Sequence, residues 1–229
     1  MKKQTLFSLK NTWFFYRLGA KKVPALQGIS LDVPAEALVT VSGPSGSGKS
    51  TLLHLLGLIE PAQEGELSFL GEDVKRFSKK KQNLIRKNEL GFVFQRFHLI
   101  PVLNVEENVA YFLIRMGLSR EEVKKRTKEA LVWVGLYEHR NKRPFQLSGG
   151  QRQRVAIARA IAKKPAVVLA DEPTANLDQK TGKQIMQILR RMVDEKHLSV
   201  VISTHDPMVL SFADHKIEMC DGQLINKES

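Results

Sequence analysis

Cysteine is nearly absent from this chain. Cys220 stands alone, so no internal disulfide can form and a reducing compartment is expected; a small, buried side chain is preferred over a reactive thiol. Long apolar runs are missing too. The stretch Leu52 to Ile59, "LLHLLGLI", falls well short of the ~20 residues that cross a bilayer and contains His54. The N-terminal "MKKQTLFSLKNTWFFY" begins with basic residues, but Ser8, Lys10 and Asn11 interrupt any signal-peptide core, which predicts a cytoplasmic protein. There is no internal repeat, no low-complexity linker and no basic stripe interleaved with aromatics. Acidic residues are outnumbered 24 to 36, giving a formal net charge of +12. The excess is scattered, however, in short clusters such as Lys79-Lys80-Lys81 and Lys124-Lys125-Arg126 that read as exposed helix faces, so nucleic acid is not an expected partner.

What is present is a composition of 42% hydrophobic and 26% charged residues over 229 positions, that of one substantial globular domain. "TLFSLKN", "ALQGISLDV" and "ALVTVSG" read as three short strands with turns at Gly28, Pro34 and Gly43. "GELSFLGEDV" reads as a strand pair turning at Gly71, Lys79 to Glu89 as a charged helix, and "LGFVFQ" as a strand ending at Gln95. Val105 to Tyr137 is helical in pattern, with "SREE" at Ser119 to Glu122 as a capping box. "AVVLAD" and "LSVVIST" are continuous apolar runs, as in strands buried on both faces of a parallel sheet, and Ile185, Ile188, Leu189, Met192 and Val193 share one helix face between them. "HKIEMCDGQLI" is a hairpin across Asp221-Gly222. The order predicts an α/β fold in which a helical middle, about residues 96–163, is inserted into one parallel-sheet core.

The segment Val41 to Thr51, "VSGPSGSGKST", lies between a strand-like run and a helix-like one. Its spacing, Gly43, four residues (Pro44, Ser45, Gly46, Ser47), then Gly48-Lys49-Ser50-Thr51, is that of a phosphate-binding loop. Glycines let successive N–H groups curl toward phosphate oxygens, and the following helix N-terminus adds partial positive charge. Lys49 is placed to neutralise β- and γ-phosphates, and the Ser50 hydroxyl to ligate magnesium. A second magnesium anchor is expected at the end of an apolar strand, and "VVLAD" ends at Asp171. Glu172 follows, displaced toward the place of an attacking water that it could orient. His205 ends "VVIST" at the sheet edge and is read as a γ-phosphate contact; Gln95 ends "GFVFQ" likewise, its amide able to ligate magnesium or a water. "LSGGQ", Leu147 to Gln151, opens a helix with two glycines and makes a second anion site from backbone N–H groups and the Ser148 hydroxyl. One P-loop has no use for two phosphate sites in a single chain. Two copies facing head to tail would use both.

With these motifs in order, "GPSGSGKST", "FVFQ", "LSGGQ", "VVLADEP", "ANLD" and His205, the chain resembles the ATP-binding-cassette ATPases over nearly its whole length. The resemblance implies an α/β P-loop NTPase with a RecA-like parallel-sheet core, an antiparallel β subdomain and an inserted helical subdomain. It implies one domain over residues 1–229, with core and β subdomain in 1–95 and 164–229 and the helical part in about 96–163. It implies ATP and Mg2+ as cofactors, Glu172, His205 and Gln95 as catalytic residues, and Ser50, Gln95 and Asp171 around the metal. Tyr16 would stack on adenine, with Trp13, Phe14 and Phe15 as rival aromatics. Ser148, Gly149, Gly150 and Gln151 would act on the other subunit's ATP in an ATP-dependent homodimer, and Asp178 would lie in the loop linking the two sites. Ala175 departs from the serine or glycine common in the family.

"GFVFQRFHLIPVLNVEENV" and "DEPTANLD" look most like the branch of lipoprotein-releasing and macrolide-exporter ATPases, although amino-acid importers share much of the pattern. That branch implies an integral membrane permease as partner and a place on the cytoplasmic face of the membrane. Phe97, Leu99 and Ile100, just after Gln95, are expected either to dock that partner or to pack within the helical lobe. The rival is a soluble cassette ATPase working on nucleic acid or ribosomes, which usually carries two cassettes or a long coiled coil; this chain has neither. A P-loop kinase is disfavoured by "LSGGQ" and by the lack of a lid-like arginine cluster.

Overall fold

The computed structural model describes residues 5–226. Strands β1 (Thr5–Leu18) and β2 (Lys21–Pro34) form one long antiparallel hairpin closed at Gly19, rather than separate short strands turning at Gly28. Gly28 lies inside β2 with φ 64°. Between the pairs Thr12–Ile29 and Phe14–Leu26, β2 holds two residues opposite one, so this glycine marks a bulge, not a turn. β4 (Glu64–Phe69) and β5 (Glu72–Asp73) complete a four-stranded antiparallel sheet of order β2-β1-β4-β5.

The second sheet has six strands. β3 (Leu38–Ser42), β6 (Leu90–Phe94), β7 (Val167–Asp171), β8 (Ser199–Thr204), β9 (His215–Cys220) and β10 (Gln223–Asn226) stand in the order β10-β9-β3-β8-β7-β6. All its pairings are parallel except the terminal β9–β10 hairpin. Alternate residues of the inner strands enter two different cores, which is why their sequences are continuously apolar. Val39, Val41, Leu169 and Val201 pack with the antiparallel sheet and α1 (Lys49–Leu56), whereas Leu38, Val168, Ala170, Val200 and Ile202 pack with the helices on the other face.

Those helices include α3 (Val105–Arg115), α4 (Arg120–Trp133), α5 (Gly149–Ile161) and α6 (Gln179–Lys196); α2 (Lys79–Asn88) precedes β6, and the single-turn α7 (Pro207–Leu210) follows β8. The helical stretch from Val105 is two helices, broken at Gly117, whose φ of 82° ends the first. Asn104 and Glu107 form a reciprocal capping box on α3. Ser119 caps α4 by accepting from the Glu122 amide at 3.3 Å, while the Glu122 carboxylate turns to Arg126 at 2.5 Å; its pKa lies below the usual range, chiefly through that bond. Ile185, Leu189, Met192 and Val193 of α6 are buried as their spacing predicts. No helix among the described residues is long and apolar enough to cross a membrane.

Candidate functional site

Strand register brings the chemistry to one edge. Val41 pairs with Ser203, Ser42 with Thr204, Asp171 with Ser203 and Phe94 with Asp171, so β3, β6, β7 and β8 end on adjacent rungs. The loop Gly43–Gly48, Gln95, Glu172 and His205 each continue from one of these carboxyl ends, where ligands of open α/β sheets bind.

The loop is built by close backbone approach. A Cβ on Gly43 (φ 146°) would sit 2.1 Å from the Met219 carbonyl oxygen, and one on Gly48 (φ 98°) 2.5 Å from that of Ala25. Both glycines are therefore required by the protein's own packing, besides any phosphate. Gly48 is the N-cap of α1 and supplies no side-chain cap, which leaves the first amides of the helix for a ligand. Lys49 is buried, and its Nζ donates to the carbonyls of Gly43 and Pro44 at 2.7 and 2.8 Å, bending the ammonium over the loop. Ser47 Oγ is buried with no hydrogen-bond partner and lies 2.8 Å from where a Gly43 Cβ would stand, beside the Met219 carbonyl.

Ser50 Oγ donates to Asp171 Oδ1 at 3.1 Å, and Ser203 Oγ donates to the same oxygen. Ser203, which follows the apolar run Val200–Ile202 in β8, was not singled out from the sequence. It also accepts from the Glu172 amide, through its carbonyl at 3.1 Å and its hydroxyl at 3.2 Å. Glu172 has φ 46°, a left-handed conformation that a non-glycine residue holds only when its surroundings enforce it. Its Oε1 lies 2.8 Å from His205 Nδ1. With the carboxylate as acceptor, Nδ1 is the donor of this bond. Gln95 is exposed, and its carbonyl accepts from Asn176 Nδ2 at 3.0 Å.

Among the four aromatics, Phe14 is buried in the core, and Trp13 and Phe15 stack on each other at 5.9 Å. Tyr16 remains half-exposed, edge-on to Phe14, with its hydroxyl 3.2 Å from Thr51 Oγ1 on α1. It is the aromatic of the four tied to the loop helix.

The second glycine pair lies elsewhere. Ser148 caps α5, accepting from the Gln151 amide at 3.2 Å, and the Gln151 side chain returns an acceptor to the Ser148 amide at 2.9 Å. The cap uses a lone pair of the Ser148 hydroxyl and leaves its proton to donate. A Cβ on Gly150 would meet Thr181 Cγ2 at 2.3 Å, and Thr181 donates twice to Asp178. Those bonds hold the Asp178 carboxyl below its ordinary pKa and make it the N-cap of α6. Gln153, fully buried, donates from Nε2 to the Pro173 carbonyl at 2.6 Å, fastening α5 to the loop after Glu172.

For a metal, the protein offers one hydroxyl and one carboxylate converging at Ser50 and Asp171. The described residues hold no cluster of three or more His, Cys, Asp or Glu that could cage an ion. Magnesium habitually takes one or two protein oxygens and fills its octahedron with phosphates and waters, so the donor set fits it.

The ABC transporter family profile matches residues 26–175. The lipoprotein-releasing system ATP-binding protein LolD of Oleidesulfovibrio alaskensis is 41% identical over 228 residues, covering 99% of each chain. The macrolide export ATP-binding/permease protein MacB of Escherichia coli is 41% identical over 96% of this chain, which spans 34% of MacB. A solved dimer of an ATP-binding cassette from Methanocaldococcus jannaschii, in a post-hydrolysis state bound to ADP and Pi, superposes with a TM-score of 0.89 at 40% identity, covering 98% of both chains.

Proposed function

This chain belongs to the ABC transporter family as an ATP-binding, ATP-hydrolysing cassette, and from that premise we propose that it drives a separate integral membrane permease through ATP-dependent pairing of two copies. The observation that carries the reading is that one chain holds two anion cradles with different neighbours. The P-loop closes over Lys49 beside Met219 and Ala25, while the α5 N-terminus leans on Thr181. Two copies arranged head to tail give each cradle a use: ATP held by the loop of one subunit meets Ser148, Gly149 and Gly150 of the other.

Within one site, Lys49 and the α1 amides hold the β- and γ-phosphates. Ser50 and Asp171 would hold Mg2+, which would supply charge neutralisation at those phosphates, with the Gln95 amide in reach of the ion or a water. Glu172, oriented by His205 and pinned by Ser203, polarises the attacking water. Tyr16 lies against the adenine. The dimeric M. jannaschii cassette supports the pairing, and MacB, an ATP-binding/permease protein, supports a permease partner and with it a place at a membrane.

The permease is proposed to dock beside the Gln95 turn. Leu99 packs into the helical-lobe core and Ile100 has its backbone amide and carbonyl held by Asn108, so that pair favours internal packing. Next to them opens a cavity of about 520 Å³ walled by Phe92, Phe94 and Phe112 and rimmed by Arg86, Arg115 and Arg159. Co-expression with a permease encoded beside its gene tests the reading. Hydrolysis stimulated by that permease, and no longer stimulated in Arg115→Glu, is expected. Stimulation by RNA or ribosomes instead would favour the soluble alternative and sink this one.

A further inference from the structure

The backbone of Gln95, like that of Glu172, is held by a side chain from a neighbouring segment. Asn176 Nδ2 donates to the Gln95 carbonyl oxygen at 3.0 Å. A peptide oxygen can only accept, which fixes the orientation of the Asn176 amide. The turn after Gln95 bends unusually: Phe97 and His98 have φ 50° and 45°, and the buried Arg159 donates to both of their carbonyls. The turn is therefore clamped at one end by Arg159 and at the other by Asn176.

The second clamp is not anchored in the helical lobe. Asn176 belongs to the short segment between Glu172 and the α6 cap. That segment is stiffened by Ala175 N–H to the Glu172 carbonyl at 3.2 Å and Leu177 N–H to the Thr174 carbonyl at 3.0 Å. It also touches the other anion cradle, since a Cβ on Gly149 would meet Leu177 Cδ2 at 3.4 Å. One amide thus joins the Gln95 turn to the segment that carries Glu172 and Asp178 and leans on α5.

We propose that Asn176 is the positioning residue for Gln95, holding the turn so that the Gln95 amide is presented to the reacting phosphate. The inference rests on the reading that Gln95 acts at the nucleotide, and the test separates the two.

The test is a double-variant cycle with Gln95→Ala, Asn176→Ala, Asn176→Asp and Gln95→Ala/Asn176→Asp. Asn176→Asp keeps the shape but replaces the donor with a carboxylate facing a carbonyl. Loss of one such hydrogen bond corresponds to about a fivefold fall in kcat. We expect Asn176→Asp to fall at least as far as Asn176→Ala, with the KM for ATP and the affinity for a fluorescent ATP analogue in EDTA changed less than twofold. Gln95→Ala should lower kcat, and the double variant should be no slower than Gln95→Ala alone. Independently of activity, amide exchange over residues 95–98 should quicken severalfold in Asn176→Ala without nucleotide, while α3 and α4 stay unchanged. Wild-type kcat in Asn176→Asp, additive losses in the double variant, or unaltered exchange at 95–98 would each overturn the proposal. Wild-type kcat in Gln95→Ala would overturn the underlying reading of Gln95 and the proposal with it.

Discussion

The Glu172 carboxylate and the His205 imidazole, from the ends of neighbouring parallel strands, are joined at 2.8 Å between Oε1 and Nδ1. With the Glu172 amide also pinned by Ser203, the carboxylate has a fixed direction before any substrate arrives. Glu172→Gln keeps the shape and loses the base. Turnover is expected to drop about 10²-fold or more, with ATP binding retained. Phosphate release and nucleotide titration on the same preparation check this; near-normal release would transfer water activation to another group.

Lys49 donates to two carbonyls of its own loop, so its ammonium is already held where phosphates would arrive. Lys49→Ala removes both the charge and this brace. ATP affinity is expected to fall by at least tenfold, since a charge-assisted hydrogen bond contributes about 1.5–3 kcal/mol. Titration with a fluorescent ATP analogue decides, and unchanged affinity would remove Lys49 from the site.

Lys163 also lines the cavity proposed for the permease, and its ammonium is held there at a desolvation cost. Burial, and then the Arg159 charge, push the Lys163 ammonium down from 10.5 to about 8, with Glu89 pulling the other way. Between those values the unfolded chain binds a proton that the folded chain lacks. The Lys163 contribution to stability therefore rises with pH across that window, and the folded protein carries its full cost below about pH 8. Relative to Lys163→Met, the wild type should gain stability between pH 8 and 10, as read by urea unfolding at several pH values. A difference that does not vary with pH would contradict this.

The sequence made the sheet edge legible because each element there has a chemical signature. Glycines mark the P-loop, apolar runs ending in polar residues mark β7 and β8, and two glycines mark the start of α5. The long β1–β2 hairpin was not legible, since Gly28 looks the same at a bulge as at a turn. Ser203 was legible as a polar residue following an apolar run but was passed over. The bond from Asn176 to Gln95 was beyond reach, because nothing local to either residue announces a partner 81 positions away. Asp178, by contrast, was legible as the α6 cap, since an aspartate just before a helical pattern offers its carboxylate to the amide three residues on, but only its place in the loop was noted.

The central claim is that two chains complete each other's sites, and mixing two broken subunits tests it most directly. Ser148→Arg blocks the donor helix and Lys49→Ala disables the P-loop, so each homodimer should be nearly inactive. In the mixed dimer, the Ser148→Arg subunit supplies an intact loop and the Lys49→Ala subunit an intact α5 N-terminus, making one good site. ATP hydrolysis that returns on mixing, and peaks near equal amounts, is the predicted result. A mixture as inactive as its parents, with heterodimers shown to have formed, would contradict the account.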